Sequence, residues 1–232
     1  MTQTDALSTL TSRVATLGLG AALMLTGCAD TEEEVATIGW DLTAQNVLGM
    51  LQSDVEVCTA VGCSVSDGSG ELHVELPVGE STLIAVSDGI EIHQNLTIVD
   101  TPPAPNRVLV MNQAMFELIT EELPEQDPAL GMVIASNVFE AGHAVELNVD
   151  ADGPYYVKSS FTGVDMDAEI TSAAGSGLFL NVPIGEAQVS FTPPEGRTCL
   201  ATPWMQAGDS ADSSRVQVAA NVIVTTELDC RE

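Results

Sequence analysis

Short apolar and polar alternations dominate the chain. Leu72, Val74 and Leu76 alternate with Glu71, His73 and Glu75, which is the period of a half-buried strand. Asp67-Gly68-Ser69-Gly70 before it and Pro77-Val78-Gly79 after it supply turn chemistry. Ser81 to Val86 then predicts a second strand and Ile90 to Val99 a third, in a region that turns strand-like from about Ile38. Asn112 to Leu123 changes period. Met115, Leu118, Ile119 and Glu122 fall on adjoining helical turns, with Asn112 as N-cap, Met111 stapling against Phe116, and Pro124 as the stop. Further strands are predicted over Gly131 to Val138, His143 to Val149, Tyr155 to Phe161, Gly177 to Val182, Glu186 to Phe191 and Val216 to Leu228.

One unit of this pattern occurs twice. Leu72-His-Val-Glu-Leu-Pro-Val-Gly-Glu80 returns 106 residues later as Leu178-Phe-Leu-Asn-Val-Pro-Ile-Gly-Glu186. Pro77, Gly79 and Glu80 match Pro183, Gly185 and Glu186, and the inward aliphatic positions stay aliphatic. Matching both the turn residues and the apolar face favours duplication over convergent hairpins. Between the copies, Thr101-Pro-Pro-Ala-Pro105 is unsuited to a sheet interior and predicts a boundary.

A strand, an Asp-Gly-Ser-Gly turn, a second strand, a Pro-x-Gly-Glu turn and a third strand resemble the carboxypeptidase regulatory-like, or transthyretin-like, β-sandwich family. Asp127-Pro128-Ala129-Leu130-Gly131 before the second copy is similar to lipoproteins carrying such domains in tandem. The resemblance implies an all-β fold of two small Greek-key sandwiches, joined by a Pro-rich linker and one short helix. It places the first domain at 38–100, the linker and helix at 101–127 and the second domain at 128–232. It implies no shared catalytic residues. Members of the family stiffen, space or dock other proteins, and some relatives bind starch.

The N-terminus adds an address. Arg13 precedes the uncharged run Val14 to Leu25, which is too short for the roughly 20 residues of a membrane-spanning helix. Leu25-Thr26-Gly27-Cys28 follows and resembles the bacterial lipobox. That resemblance implies a signal peptide over 1–27, cleavage before Cys28, and lipid on its thiol. Two or three acyl chains, at about 0.8 kcal/mol per buried CH₂, would hold such a protein stably on a membrane. Ala29 stands where an Asp would imply inner-membrane retention in enteric lipoproteins, so the outer membrane is favoured. Residues 28–37, with Glu32-Glu33-Glu34, read as an acidic tether.

Charge narrows the partners. Asp5 and Arg13 cancel, so the net charge of −28 belongs entirely to the chain after residue 27. Five basic residues spread over that length form no phosphate-binding patch, and so acidic a surface repels nucleic acid. Setting Cys28 aside leaves Cys58, Cys63, Cys199 and Cys230, an even number that predicts disulfides in an exported protein. Of three pairings, Cys58–Cys63 and Cys199–Cys230 are favoured because each closes within one domain. Metal binding by the cysteines is the weaker alternative, since the sequence offers no second close pair.

Catalytic chemistry finds little support. His143-Ala-Val-Glu146 has His-x-x-Glu spacing, but no histidine follows it, and a catalytic zinc needs a third protein ligand. No Gly-x-Ser-x-Gly elbow is present. Glu71, His73 and Glu75, with Glu91 and His93 on a neighbouring strand, are a candidate surface metal face. Asp150-Ala-Asp152-Gly153 resembles the start of a calcium loop that Asp165, Asp167 and Glu169 would have to complete; a plain β-turn is the favoured reading, so no cofactor is expected, with calcium as the alternative. Tyr155, Tyr156 and Trp204 are the candidate platforms for carbohydrate, although strand alternation would bury one of the tyrosines. The expected function is a non-enzymatic lipoprotein, anchored to a membrane and docking or spacing a protein partner in the envelope. The alternative is a carbohydrate- or calcium-dependent binding module on the cell surface.

Overall fold

The computed structural model describes residues 35–46, 49–98, 106–137, 141–201 and 212–231. The expected signal segment, Cys28 and most of the acidic tether lie outside the described residues, as do Thr101–Pro105 and Trp204.

Among the described residues the fold is all-β apart from one short helix. Its first half contains β1 (Thr37–Asn46), β2 (Glu56–Cys58), β3 (Cys63–Val65), β4 (Glu71–Pro77), β5 (Gly79–Ser87), β6 (Ile90–Ile98) and β7 (Arg107–Val110). Helix α1 (Gln113–Thr120) follows, capped by the Asn112 side chain, which accepts a hydrogen bond from the Met115 N–H at 2.9 Å. The second half contains β8 (Gly131–Asn137), β9 (Ala144–Leu147), β10 (Asp152–Val157), β11 (Val164–Asp165), β12 (Ser176–Val182), β13 (Gly185–Thr192), β14 (Thr198–Ala201), β15 (Ser213–Val218) and β16 (Ile223–Arg231).

The two halves repeat one scheme of strand pairing. In the first, β1 pairs antiparallel with β4 and parallel with β7, while β5 pairs antiparallel with β2 and β6. In the second, β8 pairs antiparallel with β12 and parallel with β16, while β13 pairs antiparallel with β9 and β15. The duplicated sequence unit sits at the same point in both schemes, as β4–β5 and as β12–β13. There the chain leaves one sheet of the sandwich for the other at Gly79 (φ 109°) and Gly185 (φ 126°). Both angles are ones that a side chain would strain, so glycine is needed at each corner.

The halves are not separate bodies. β6 pairs in parallel with β16, Ile92 opposite Ile223 and Gln94 opposite Thr225, so ten strands form one sheet across both halves. Residues 35–232 accordingly form one compact unit, where the sequence predicted two domains with a linker between them. β7 also falls within the stretch expected to be linker, and its parallel pairing with β1 completes the first sandwich.

Three cores follow from alternation about that sheet. Trp40, Leu42, Val74, Leu76, Leu83 and Leu96 fill the first sandwich. Val133, Phe179, Val189, Phe191, Val216 and Val224 fill the second. On the opposite face of β8, β12 and β16, Met132, Ile134, Leu178, Leu180 and Ile223 pack beneath Met111 and Ile119 from the α1 region. Ile92 of β6 joins this third core, which therefore belongs to both halves.

Two strand predictions shift. Val216 to Leu228 is not one strand but β15 and β16, separated by a turn in which Asn221 adopts φ 55°. Asparagine tolerates that conformation, so an apolar run without Gly or Pro can conceal a reversal. The strand expected over Tyr155 to Phe161 starts and ends earlier, because Phe161, at φ 55°, lies in a turn closed by its N–H to the Lys158 carbonyl.

Candidate functional site

The candidate residues are dispersed by the fold more than they are gathered. His143 is fully buried, its N–H donating to Thr171 Oγ1 at 3.0 Å and its carbonyl accepting from the Thr171 N–H at 2.8 Å. Glu146 is exposed on β9. The His-x-x-Glu spacing therefore joins a core side chain to a solvated one and makes no shared metal site.

Glu71, His73 and Glu75 do share the outward face of β4, but that strand pairs with β1, whereas Glu91 and His93 lie on β6 in the other sheet. His73 Nδ1 is 2.7 Å from Asp41 Oδ1, directly across the ladder, and Nε2 is 3.3 Å from Glu75 Oε1. Gly39 makes this possible, since a Cβ there would lie 2.8 Å from His73 Cε1. The hydrogen bond to Asp41, followed by that to Glu75, raises the His73 pKa above its ordinary value. Glu75 is held below the ordinary glutamate value by a hydrogen bond with Thr37 and by His73.

Around the expected calcium loop, Asp152 Oδ2 accepts from Asn181 Nδ2 at 2.6 Å, and Asp165 Oδ1 accepts from the Asp167 N–H at 3.1 Å. No three of Asp150, Asp152, Asp165, Asp167 and Glu169 bring ligand atoms within 4.8 Å of one another. The tyrosines part company as alternation predicts. Tyr156 is 2% exposed, its hydroxyl accepting from the Val145 N–H at 3.1 Å, and burial raises its pKa. Tyr155 packs against the third core from the opposite face.

Cys58 and Cys63 form a disulfide across the β2–β3 hairpin. Cys199 and Cys230 are directly opposed in the β14–β16 ladder, a register that suits the second expected link.

Two charged groupings were missed by sequence reasoning. Arg215 on β15 lies 3.9 Å from Glu80 and 3.5 Å from Glu186, so the two glutamates of the repeated motif meet at one guanidinium. Recurrence of that glutamate was the available signal. Arg107 and Glu227 pair across the junction of the halves, and nothing in the sequence links them. A cavity of about 210 Å³ also lies at that junction, among Ile90, Glu91, Phe116, Met132 and Asn221. Its carboxylate, Glu91, is held by His93.

No family model matches the chain, and no curated protein sequence matches it. Solved structures similar to it include the Bacillus anthracis TIE protein, at 10% identity and a TM-score of 0.26, covering 85% of this chain and 34% of that one. The chain thus spans about a third of that protein's length. A streptococcal ancillary pilin is similar at 12% identity and a TM-score of 0.30, covering 83% of this chain and 69% of the pilin. The shaft pilin spaA of Lactobacillus rhamnosus GG is similar at 10% identity and a TM-score of 0.23, covering 85% and 99% respectively.

Proposed function

We propose that this chain is a non-catalytic structural module of the cell envelope, held to a membrane by lipid on Cys28, that spaces or docks a partner protein. The observation that carries the reading is the parallel β6–β16 pairing, which joins two sandwiches of the same pairing scheme through one sheet and one shared core. Two independent domains on a linker would flex. A fused pair keeps a fixed spacing between its ends, which suits a strut. The repeated corner motif supports kinship with carboxypeptidase regulatory-like sandwiches, whose members act by stiffening and docking. The lipobox-like Leu25-Thr26-Gly27-Cys28 supports export and anchoring, with Ala29 favouring the outer membrane. A Cys199–Cys230 disulfide would tie β14 to β16 close to the chain's end.

The rival carbohydrate- or calcium-binding reading draws less support. Burial of Tyr156 leaves it no face for a sugar, and Asp152 is engaged by Asn181. A pull-down from solubilised envelope, with the lipidated chain as bait, tests the proposal. Stoichiometric recovery of a protein partner, lost when Cys28→Ser removes the anchor, is expected. Turnover of a peptide or glycan by the purified chain overturns it.

A further inference from the structure

We propose that Glu56, Cys58 and Cys63 form a redox-gated metal site, closed while the disulfide is intact and able to take one thiophilic divalent cation, such as zinc, once it is reduced. One ligand atom from each of the three residues lies within 4.8 Å of the other two, the one such grouping among the described residues. The backbone explains the convergence. Glu56 and Cys58 are two apart on β2 and so share a face, and Cys63 stands directly opposite Cys58 on β3. Val57, between them, points the other way into the first core. All three ligating groups therefore face outward, with Cys58 partly exposed and Glu56 and Cys63 open to solvent.

The donor set suits such a cation. Two thiolates and a carboxylate are ligands that zinc accepts, and three protein ligands leave a fourth tetrahedral position for water. Together they carry one more negative charge than a divalent ion neutralises, in a chain whose net charge is already −28. On the same outward face, Val65 stands opposite Glu56 from β3, and Val86 and Ile84 stand opposite Glu56 and Cys58 from β5. These apolar side chains flank the site on both sides and limit competing polar contacts.

The hairpin is held by more than the disulfide. β2 pairs with β5 as well as β3, the Thr59 N–H donates to the Gly62 carbonyl at 2.8 Å, and Thr59 Oγ1 donates to the Glu75 carbonyl at 2.8 Å. Reduction should therefore leave the two sulfurs facing each other. In that step the disulfide accepts two electrons and two protons and becomes two thiols, while a dithiol donor closes to its own disulfide. Zinc then displaces the two thiol protons to solvent and binds the resulting thiolates. Exchange with a disulfide donor, which leaves as its own dithiol after taking up the two electrons, and two protons from solvent, re-forms the S–S bond and releases the ion.

The experiment uses the full chain, reduced without oxygen by a phosphine. The phosphine leaves as its oxide, taking oxygen from water, and is a poor zinc ligand. Native mass spectrometry after zinc addition should show one ion per reduced chain and none per oxidised chain. The ion should persist in Cys199→Ser and disappear in Cys58→Ser. Glu56→Gln, at an exposed position where folding is unaffected, should weaken zinc binding about tenfold or more, the cost of losing even an outer partner of a metal ligand. Absence of stoichiometric zinc on the folded, reduced chain overturns the proposal. So does zinc retained in Cys58→Ser, or an affinity unchanged in Glu56→Gln.

Discussion

Arg107 Nη2 donates to Glu227 Oε1 at 3.1 Å across 120 positions of sequence, and the Glu227 side chain is 2% exposed. The pair ties β7, which closes the first sandwich, to β16, which lies at the centre of the shared sheet. Removing the cation takes a charged hydrogen-bond donor away from a desolvated carboxylate. Arg107→Met should therefore destabilise the chain by about 3 kcal/mol, at the lower end of what breaking a buried pair costs. Urea unfolding measures it. A loss under 1 kcal/mol would mean that water reaches Glu227 in the folded state.

Neighbouring threonines on β16 should respond in opposite directions. Thr225 is buried with its Oγ1 unpartnered, beside the equally unpartnered Oε1 of Gln94. Thr226 points to the other face, where its Oγ1 and the Ser214 Oγ lie 2.6 Å apart. Thr225→Val removes a desolvated hydroxyl that makes no bond and should be neutral or stabilising by about 1 kcal/mol. Thr226→Val strands the Ser214 hydroxyl and should cost about 1–2 kcal/mol. Equal effects in paired denaturation curves would contradict the assigned faces.

These contrasts mark the limit of what the sequence discloses. The strict alternation of Leu72, Val74 and Leu76, and the helical spacing around Ile119, announce β4 and α1 because local period and burial agree. The repeat at Leu178–Glu186 likewise discloses the second sandwich. β7 stays hidden, since four residues after a proline cluster carry almost no periodic signal. The parallel β6–β16 pairing has no local signature at all. It depends on which strand edges remain open once each sandwich has closed, and the Arg107–Glu227 pair follows from that same event. Nor could spacing show that His73 meets Asp41 and not His93, because that is a matter of which strands pair.

The His73 cluster gives a pH dependence of known sign. Its folded-state pKa is raised by Asp41 and then Glu75, so its contribution to stability is complete below the ordinary histidine pKa. That contribution is lost as pH rises through the elevated value. The depressed Glu75 pKa acts in the acidic range, with its contribution present above the ordinary glutamate value and lost as pH falls through the lowered one. NMR titration of the His73 ring should give a midpoint above that of an ordinary histidine, and Asp41→Asn should return it most of the way. An unchanged midpoint in that variant would remove Asp41 as the cause.

Salt should stabilise the fold. With 34 acidic and 6 basic residues, the compact state suffers self-repulsion that unfolding relieves. The screening length falls from about 30 Å at 0.01 M to about 3 Å at 1 M ionic strength. The urea midpoint should therefore rise steadily between those limits in sodium chloride. A flat or falling midpoint would show that favourable ion pairs such as those at Arg215 outweigh the repulsion.

The junction itself can be tested by cutting the chain. A fragment beginning at Pro128 keeps the second sandwich core, including Val133, Phe179, Val189 and Val216. It loses Ile92, Met111 and Ile119 from the shared core, and it leaves the edge of β16 at Ile223, Val224 and Thr225 unpaired. Losing the burial of three such side chains forfeits roughly 4.5–9 kcal/mol, at roughly 1.5–3 kcal/mol each, an upper estimate because unfolded chains are partly compact. The bare edge also invites a second copy to pair with it. The fragment should therefore melt well below the intact chain and self-associate with rising concentration. A longer fragment beginning at Asn106 regains Met111 and Ile119, and should recover more than half of the lost stability while keeping the open edge. If the short fragment instead matches the intact chain in stability and remains a monomer, the halves are independent domains, and the β6–β16 pairing contributes nothing to their cohesion.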